Sequence, residues 1–500
     1  MVKNICATTQ MKVERFELDE QQMTAVESNA RNILVVAGAG TGKTTTIIGR
    51  VKYLLLHGLC KPSEILVLSY TNASAGEMRA RINREIFGET GISKTYDTTK
   101  IDNSDFELIE SSTFHAFGFK IIKQVERKKF SVETKSNQKR RRAILQNDRA
   151  KSVAKDPDSI QDEENIIYFD EMISRAKSYV ESGKYKHKFK YVIVDEYQDI
   201  SNERYEFLKA LRDSGDFNLF CVGDDWQSIY GFNGGNVDLI LNFEKYWGPT
   251  SVYKIEQTYR FPQKIADISS EFVMENPAQI RKKIKGLKSH GDEIFEIVGD
   301  SARQNLNFII SKLEIAPKNA SIFFLGRYNS DRKVLMQTRI FRQKVKIKAV
   351  PSATAQHQDK TVHVAFKSDP HFSANTIKES QNNSYFDELV FKKRPDLKIK
   401  FFTAHRAKGL QADYVFILNL KKGSHGFPDI KNKGTEKFLY AEERRLFYVA
   451  LTRAKKRVFL LTTNSKESHF IKELRNFSEM KQIKLTLPRK PTSGVLALES

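Results

Sequence analysis

AGAGTGKT, residues 37–44, constrains this chain more than any other stretch. It follows an apolar run, NILVV (32–36), and opens a helical pattern, TTTIIGRVKYLL (44–55). Gly38, Gly40 and Gly42 let successive backbone N–H groups turn toward a phosphate. The helix N-terminus adds the positive end of its dipole. Lys43 supplies a point charge to the β- and γ-phosphates of a nucleotide, and Thr44 a hydroxyl to Mg²⁺. The pattern departs from the usual one only in placing Ala37 where the first glycine stands. The candidate cradle is Ala37, Gly38, Ala39, Gly40, Thr41, Gly42, Lys43, Thr44 and Thr45. A loop of this kind sits between a buried strand and a helix, which makes the chain an α/β protein.

The rest of the chain repeats that rhythm. NILVVAG (32–38), EILVLSY (64–70), YVIVDE (191–196), NLFCVGD (218–224) and SVYKIEQ (251–257) form one set of short apolar runs. SIFFLGR (321–327), KIKFFTA (398–404), DYVFILNL (413–420) and RVFLLTT (457–463) form another. Buried parallel strands read this way, with helices between them. The spread of the runs favours two sheets over one, and a chain of 500 residues leaves room for about two to four domains. Two segments break the rhythm and read as insertions. One runs from about Phe119 to Lys190; the other, from about Leu335 to Leu397, carries the turn-rich patches SATAQHQDK and SANTIKESQNNS. The final PRKPTSGVLALES reads as a loose tail.

VIVDEYQD (192–199) is the expected partner of the phosphate loop. Four apolar residues deliver Asp195 to a strand's end, where it can hold Mg²⁺. Glu196 beside it can orient and deprotonate an attacking water. A third stretch, CVGDDWQSIYGFNGG (221–235), joins polar and aromatic residues at another strand's end. A core strand has no reason to carry Asp224, Asp225 and Gln227, and a surface loop has no packing reason to carry Trp226, Tyr230 and Phe232 together.

Charge points to the partner. The formal net charge is +22. From Gly118 to Lys155 there are 13 Lys/Arg against 3 Asp/Glu, with RKK (127–129) and KRRRA (139–143) as the densest clusters. Nucleic acid is the leading partner for such a surface. The three cysteines are far apart and form no CxxC pair, which fits a reducing compartment. The first residues carry no apolar core of a signal peptide, and no run of about 18 apolar residues spans a membrane. The expectation is a protein of the bacterial cytoplasm or nucleoid with no membrane contact, monomeric in isolation.

Ten stretches occur in one order from residue 18 to 458. They are LDEQQMTAV (18–26), AGAGTGKT, VLSYTNASAGEMRARI (67–82), STFHAFG (112–118), VDEYQDIS (194–201), VGDDWQSIYGF, EQTYRF (256–261), TAHRAKGLQADYV (403–415), GFP (426–428) and EERRLFYVALTRAKKRV (442–458). In this set the chain resembles the UvrD/Rep family of superfamily 1 DNA helicases, and most nearly its helicase IV branch. The resemblance implies two RecA-like parallel-sheet domains in tandem. The first core would comprise 1–118 and 190–275, with a basic accessory insertion at 119–189. The second would comprise 276–335 and 398–485, with a reduced insertion at 336–397 and a flexible tail at 486–500.

The same resemblance assigns roles. ATP and Mg²⁺ are the implied cofactors. Gln22 would read the adenine edge and Tyr259 would stack on the base. Lys43, Asp195 and Glu196 keep the roles argued above, with Thr44 and Asp195 as the metal ligands. Gln227 would sense the γ-phosphate, and Arg260 and Arg453 would act on it as arginine fingers. Loss of either arginine would then abolish turnover rather than soften stability. Tyr70, Thr71, Asn72, His115, Tyr230, Phe232 and His405 would contact single-stranded DNA or a junction with duplex. Thr45, Gly231 and Asn233 depart from basic residues common in relatives. The implied activity is 3′-to-5′ movement and unwinding, driven by ATP, in repair, recombination or replication. The alternative is a DNA-stimulated ATPase that unwinds only with a partner protein, in a repair or phage-defence complex.

Overall fold

Mostly apolar strands and the helices between them build the first of two units. The structure is a computed structural model. It describes residues 11–87, 109–133, 166–347, 363–366 and 388–485, apart from positions 14–15, 292, 338–339, 424, 430–435, 465–466 and 478–479. Packing divides the chain into Met1–Glu256 and Gln257–Ser500.

In the first unit six strands form one parallel sheet. Their order is Ser251–Ile255, Asn32–Ala37, Asn218–Gly223, Tyr191–Val194, Ile65–Ser69 and Glu110–Thr113. Asn32–Ala37 and Ile65–Ser69 are buried along their whole length, as strands covered on both faces must be. Helix Lys43–Leu56 presses Ile47, Val51 and Leu54 into the same core as Ile33, Val35 and Val67. Five of these strands are the predicted runs. The sixth, Glu110–Thr113, reads ESST and carries no apolar run; it lies at the sheet's edge, held by backbone pairing to Ile65–Ser69.

The first insertion is continuous with the core at both described ends. Helix Phe114–Glu126 starts on a Thr113 cap, with the Ala116 N–H donating to Thr113 Oγ1 at 3.2 Å. It packs on helix Met172–Glu181, which packs on helix Asn202–Ser214. Gly118 sits at the tightest approach: a Cβ there would lie 3.2 Å from the Met172 carbonyl and 3.3 Å from Ala176 Cβ. Arg127, Lys128 and Lys129 are exposed. KRRRA (139–143) lies outside the described residues.

The second unit has a nine-stranded sheet. Six strands are parallel, in the order Lys481–Lys484, Ile294–Gly299, Ala454–Thr463, Ala412–Ile417, Ser321–Gly326 and Arg394–Thr403. The second insertion adds three antiparallel strands to the Arg394 edge: Glu388–Phe391, Phe341–Ile347 and His363–Phe366. Its described parts thus extend the sheet. The patches at 352–360 and 373–384 and the tail at 486–500 lie outside the described residues. Helix Gln263–Met274, read from sequence with the first core, packs in the second unit instead. Its Phe272 meets Phe447 edge-on at 5.4 Å and accepts a hydrogen bond from Arg444 at its carbonyl (3.0 Å). Among the described residues no helix is long and apolar enough to cross a membrane.

Candidate functional site

The parallel register of the first sheet brings the carboxyl ends of its central strands to one edge, where ligands of open α/β sheets bind. The phosphate loop leaves the strand Asn32–Ala37 at that edge. Gly40 and Gly42 take left-handed φ values of 77° and 85°. Gly42 caps the following helix with no side-chain bond to its N–H groups, so those donors face the loop. A Cβ on Gly42 would also lie 2.7 Å from Gln22 Nε2. Thr41 Oγ1 donates to the Gly38 carbonyl (3.0 Å), and the Gly38 N–H donates to the Ile255 carbonyl (3.3 Å). Lys43 Nζ lies 3.5 Å from the Ala37 carbonyl. Ala39 is buried, and Thr44 and Thr45 are half-buried on the first helical turn. Arg81 Nη2 reaches the Thr45 hydroxyl at 3.5 Å.

Gln22 is buried behind this loop. Its Nε2 donates to the Thr41 carbonyl (3.0 Å), and its Oε1 accepts from the Asp19 N–H (3.0 Å) within a capping box. In this geometry the side chain braces the loop.

Asp195 ends its strand buried, with Oδ2 accepting from Ser74 Oγ (3.3 Å) and Oδ1 from the Glu196 N–H (2.9 Å). Burial first, and then the Glu196 charge, push its carboxyl pKa up; Lys43 opposes them. Glu196 takes a left-handed φ of 51°, an uncommon conformation for a non-glycine residue. Gln198, which the motif reading passed over, joins the two halves of the site. Its Nε2 donates to Glu196 Oε2, and its Oε1 accepts from the Asp224 N–H at 2.9 Å. Asp224 in turn accepts from Gln227 Nε2. One hydrogen-bonded chain therefore runs from Glu196 to Gln227, both ends of Gln198 being used. A glutamine fully buried at a strand end is the sequence signal for it, but burial is not visible in the sequence.

Three residues past Gln227 the aromatics begin. Tyr230 stacks on Tyr70 with centroids 5.3 Å apart and 12° between planes, and meets Phe232 edge-on at 6.0 Å. Phe232 is 66% exposed, whereas Trp226 is fully buried and packs in the unit. Thr71 and Asn72 are exposed beside Tyr70, Thr71 Oγ1 accepting from the Ser74 N–H (3.1 Å). His115 stacks on Phe169 at 4.0 Å. Burial, and then the Arg204 charge, lower its pKa to about 4, so its ring is neutral near pH 7. Phe169 and Arg204 belong to this surface without belonging to any of the motifs above.

The second unit carries the other candidates. Arg260 Nε donates to Gln411 Oε1 (3.0 Å) and Nη1 to the Thr452 carbonyl (3.2 Å). Arg453 is fully buried. Its guanidinium donates to the Val449 carbonyl (2.8 Å), the Leu410 carbonyl (3.4 Å) and Thr452 Oγ1 (2.9 Å). Removing it would leave buried acceptors unmet, at about 1–3 kcal/mol. Loss of Arg453 is therefore expected to lower stability as well as turnover. Tyr259 is 54% exposed. His405 is held neutral, its pKa lowered to about 4 by burial and by the charges of Arg327 and Lys408.

The sequence matches two family models in chain order. The UvrD/REP helicase N-terminal domain covers residues 18–160 and 123–247, and the UvrD-like helicase C-terminal domain covers residues 376–465. The chain is 27% identical to DNA helicase IV of Escherichia coli (strain K12), over 93% of its own length and 71% of that protein's. It is 27% identical to ATP-dependent DNA helicase Rep of Buchnera aphidicola, over 63% of its length and 55% of the relative's. It is 25% identical to ATP-dependent DNA helicase PcrA of Staphylococcus aureus (strain Mu50), over 64% and 49%. The chain thus spans about half the length of the latter two.

Proposed function

Because the chain belongs to the UvrD/Rep family of helicases, we propose that it is an ATP-dependent DNA helicase that moves 3′-to-5′ on single-stranded DNA and opens ss/ds junctions. The observation that carries this reading is the chain of hydrogen bonds from Glu196 through Gln198 and Asp224 to Gln227. It ends three residues before Tyr230. A group that meets the phosphates is thereby tied to a loop bearing exposed aromatics. Stacking of a base on an aromatic ring is worth about 1–3 kcal/mol and tolerates any sequence, as movement along arbitrary DNA requires.

The residues at the sheet edge fit a magnesium nucleotide. Gly40 and Gly42 turn the loop in left-handed conformations, and a side chain at Gly42 would collide with Gln22, which braces that loop. Asp195 is a buried acid whose raised pKa a nearby cation would relieve. Thr44 and Asp195 would hold Mg²⁺, which supplies charge neutralisation at the β- and γ-phosphates. Lys43 binds the same phosphates. Glu196 orients the attacking water and takes its proton. Gln227 senses the terminal phosphate. Arg260 and Arg453 act on it as arginine fingers, which requires Arg453 to leave its buried carbonyl partners. Gln22 and Tyr259 act on the base. Tyr70, Thr71, Asn72, His115, Tyr230, Phe232 and His405 form the DNA surface. The processes served are repair, recombination or replication.

A second reading keeps the ATPase and removes autonomous unwinding: a motor that needs a partner protein. It is favoured by the second insertion, whose described strands extend a sheet edge. Strand displacement on partial duplexes with a 3′ or a 5′ single-stranded tail decides between them. Displacement from the 3′ tail alone, abolished in Lys43→Ala, is the expected result. ATPase stimulated by single strands with no displacement from either tail would establish the second reading.

A further inference from the structure

A cation lies over the innermost ring of an aromatic series on the first unit. Arg204 stands on the first turn of helix Asn202–Ser214, its N–H donating to the Ser201 cap at 3.3 Å. Its guanidinium carbon is 4.7 Å from the centroid of the Tyr70 ring. Tyr70 is the inner member of the Tyr70–Tyr230–Phe232 series. The same guanidinium acts electrostatically on His115, the inner member of the His115–Phe169 stack. The outer rings, Phe232 and Phe169, are 66% and 48% exposed. Arg204 Nη1 is buried with no hydrogen-bond partner, and no salt bridge engages the side chain among the described residues. A buried guanidinium nitrogen left unpaired is costly. What the side chain gains in return is the Tyr70 face, since a cation over an aromatic face is attracted by the ring quadrupole.

We propose that Arg204 is a positioning residue of the nucleic-acid surface: it fixes Tyr70 behind Tyr230, so that the Tyr70–Tyr230–Phe232 series makes one track for bases. The proposal rests on the DNA reading of the aromatics. Tyr70, engaged by Arg204 and Tyr230, supports the track, while Tyr230 and Phe232 present faces or edges to a base. A planar guanidinium matches a ring face where an ammonium does not. The side chain's shape therefore matters as well as its charge.

The test uses the full chain and single-stranded oligo(dT) carrying one 2-aminopurine, read by anisotropy for affinity and by fluorescence quenching for base stacking. Arg204→Met is expected to weaken binding about five- to tenfold, and to leave less quenching at saturating protein. A loss of stability alone would not alter quenching at saturation. Tyr70→Leu is expected to weaken binding similarly, and the double variant by less than the product of the two, because the residues act as a unit. Arg204→Lys should fall between parent and Arg204→Met. Should Arg204→Met fail to fold, Arg204→Lys combined with Tyr70→Leu carries the same non-additivity test. Parental affinity and quenching in Arg204→Met, alongside weakened binding in Phe232→Ala, would overturn the positioning role of Arg204 and leave the DNA reading standing. Independent, multiplying effects of the Arg204 and Tyr70 substitutions would overturn it equally. Parental binding in both Tyr230→Ala and Phe232→Ala would instead remove the DNA reading of this surface, and the positioning role with it.

Discussion

At the scale of single residues, Gln198 separates motif from mechanism. It has no assigned role toward the nucleotide, yet it bonds to Glu196 and to the Asp224 backbone at once. Gln198→Leu keeps the volume and removes both bonds, leaving the buried Asp224 N–H without its acceptor, at about 1–3 kcal/mol. Stimulation of ATP hydrolysis by single strands should fall about tenfold or more, measured as the ratio of rates with and without oligo(dT). His115 gives a pH prediction. Its folded pKa of about 4 lies below the ordinary value of 6.5. Between those values the unfolded chain binds a proton that the folded chain refuses, so this residue lowers stability as pH falls through that window. His115→Phe retains a ring beside Phe169 and cannot titrate. Its melting temperature should gain on the parent's as pH is lowered from about 7 to about 5; a constant difference across that range would contradict the assignment.

At the scale of elements, the close approach of helices Phe114–Glu126 and Met172–Glu181 depends on one glycine. Gly118→Leu must push the Met172 carbonyl and Ala176 away, at about 1–3 kcal/mol of overpacking, seen as a lower urea midpoint. The helix pair also shows where sequence reading stops. The strand runs NILVV and YVIV, the phosphate loop and the paired acids were legible because their signals are local: continuous apolar residues, glycines at fixed offsets, a carboxylate at a strand's end. ESST was not, because an edge strand held by backbone pairing needs no apolar residues. Helix Gln263–Met274 was assigned to the wrong side of the boundary, because an amphipathic stripe of Ile265, Ile268 and Phe272 says that it packs and not on what. Gln198 and Arg204 were missed for a related reason. Their roles come from burial and from neighbours distant in sequence.

At the scale of the whole molecule, charge is the property to measure. A net charge of +22 with a basic cluster at 127–129 should make DNA binding steeply salt-dependent. Neutralising Arg127, Lys128 and Lys129 to Gln should flatten the log–log slope on duplex by up to about three units, and by less on single strands. An unchanged slope would place these side chains away from phosphate. One bond in the first sheet has a mechanical meaning. The strand Ser251–Ile255, last of the first unit, lies against the strand that feeds the phosphate loop, and Ile255 accepts the Gly38 N–H. The next residue, Glu256, donates to Gln21, neighbour of the glutamine that braces the loop, and the chain then passes into the second unit. The tether between the halves is thus anchored at the phosphate grip itself. Loosening either bond would therefore free the exit of the first unit and the backbone of its phosphate loop together.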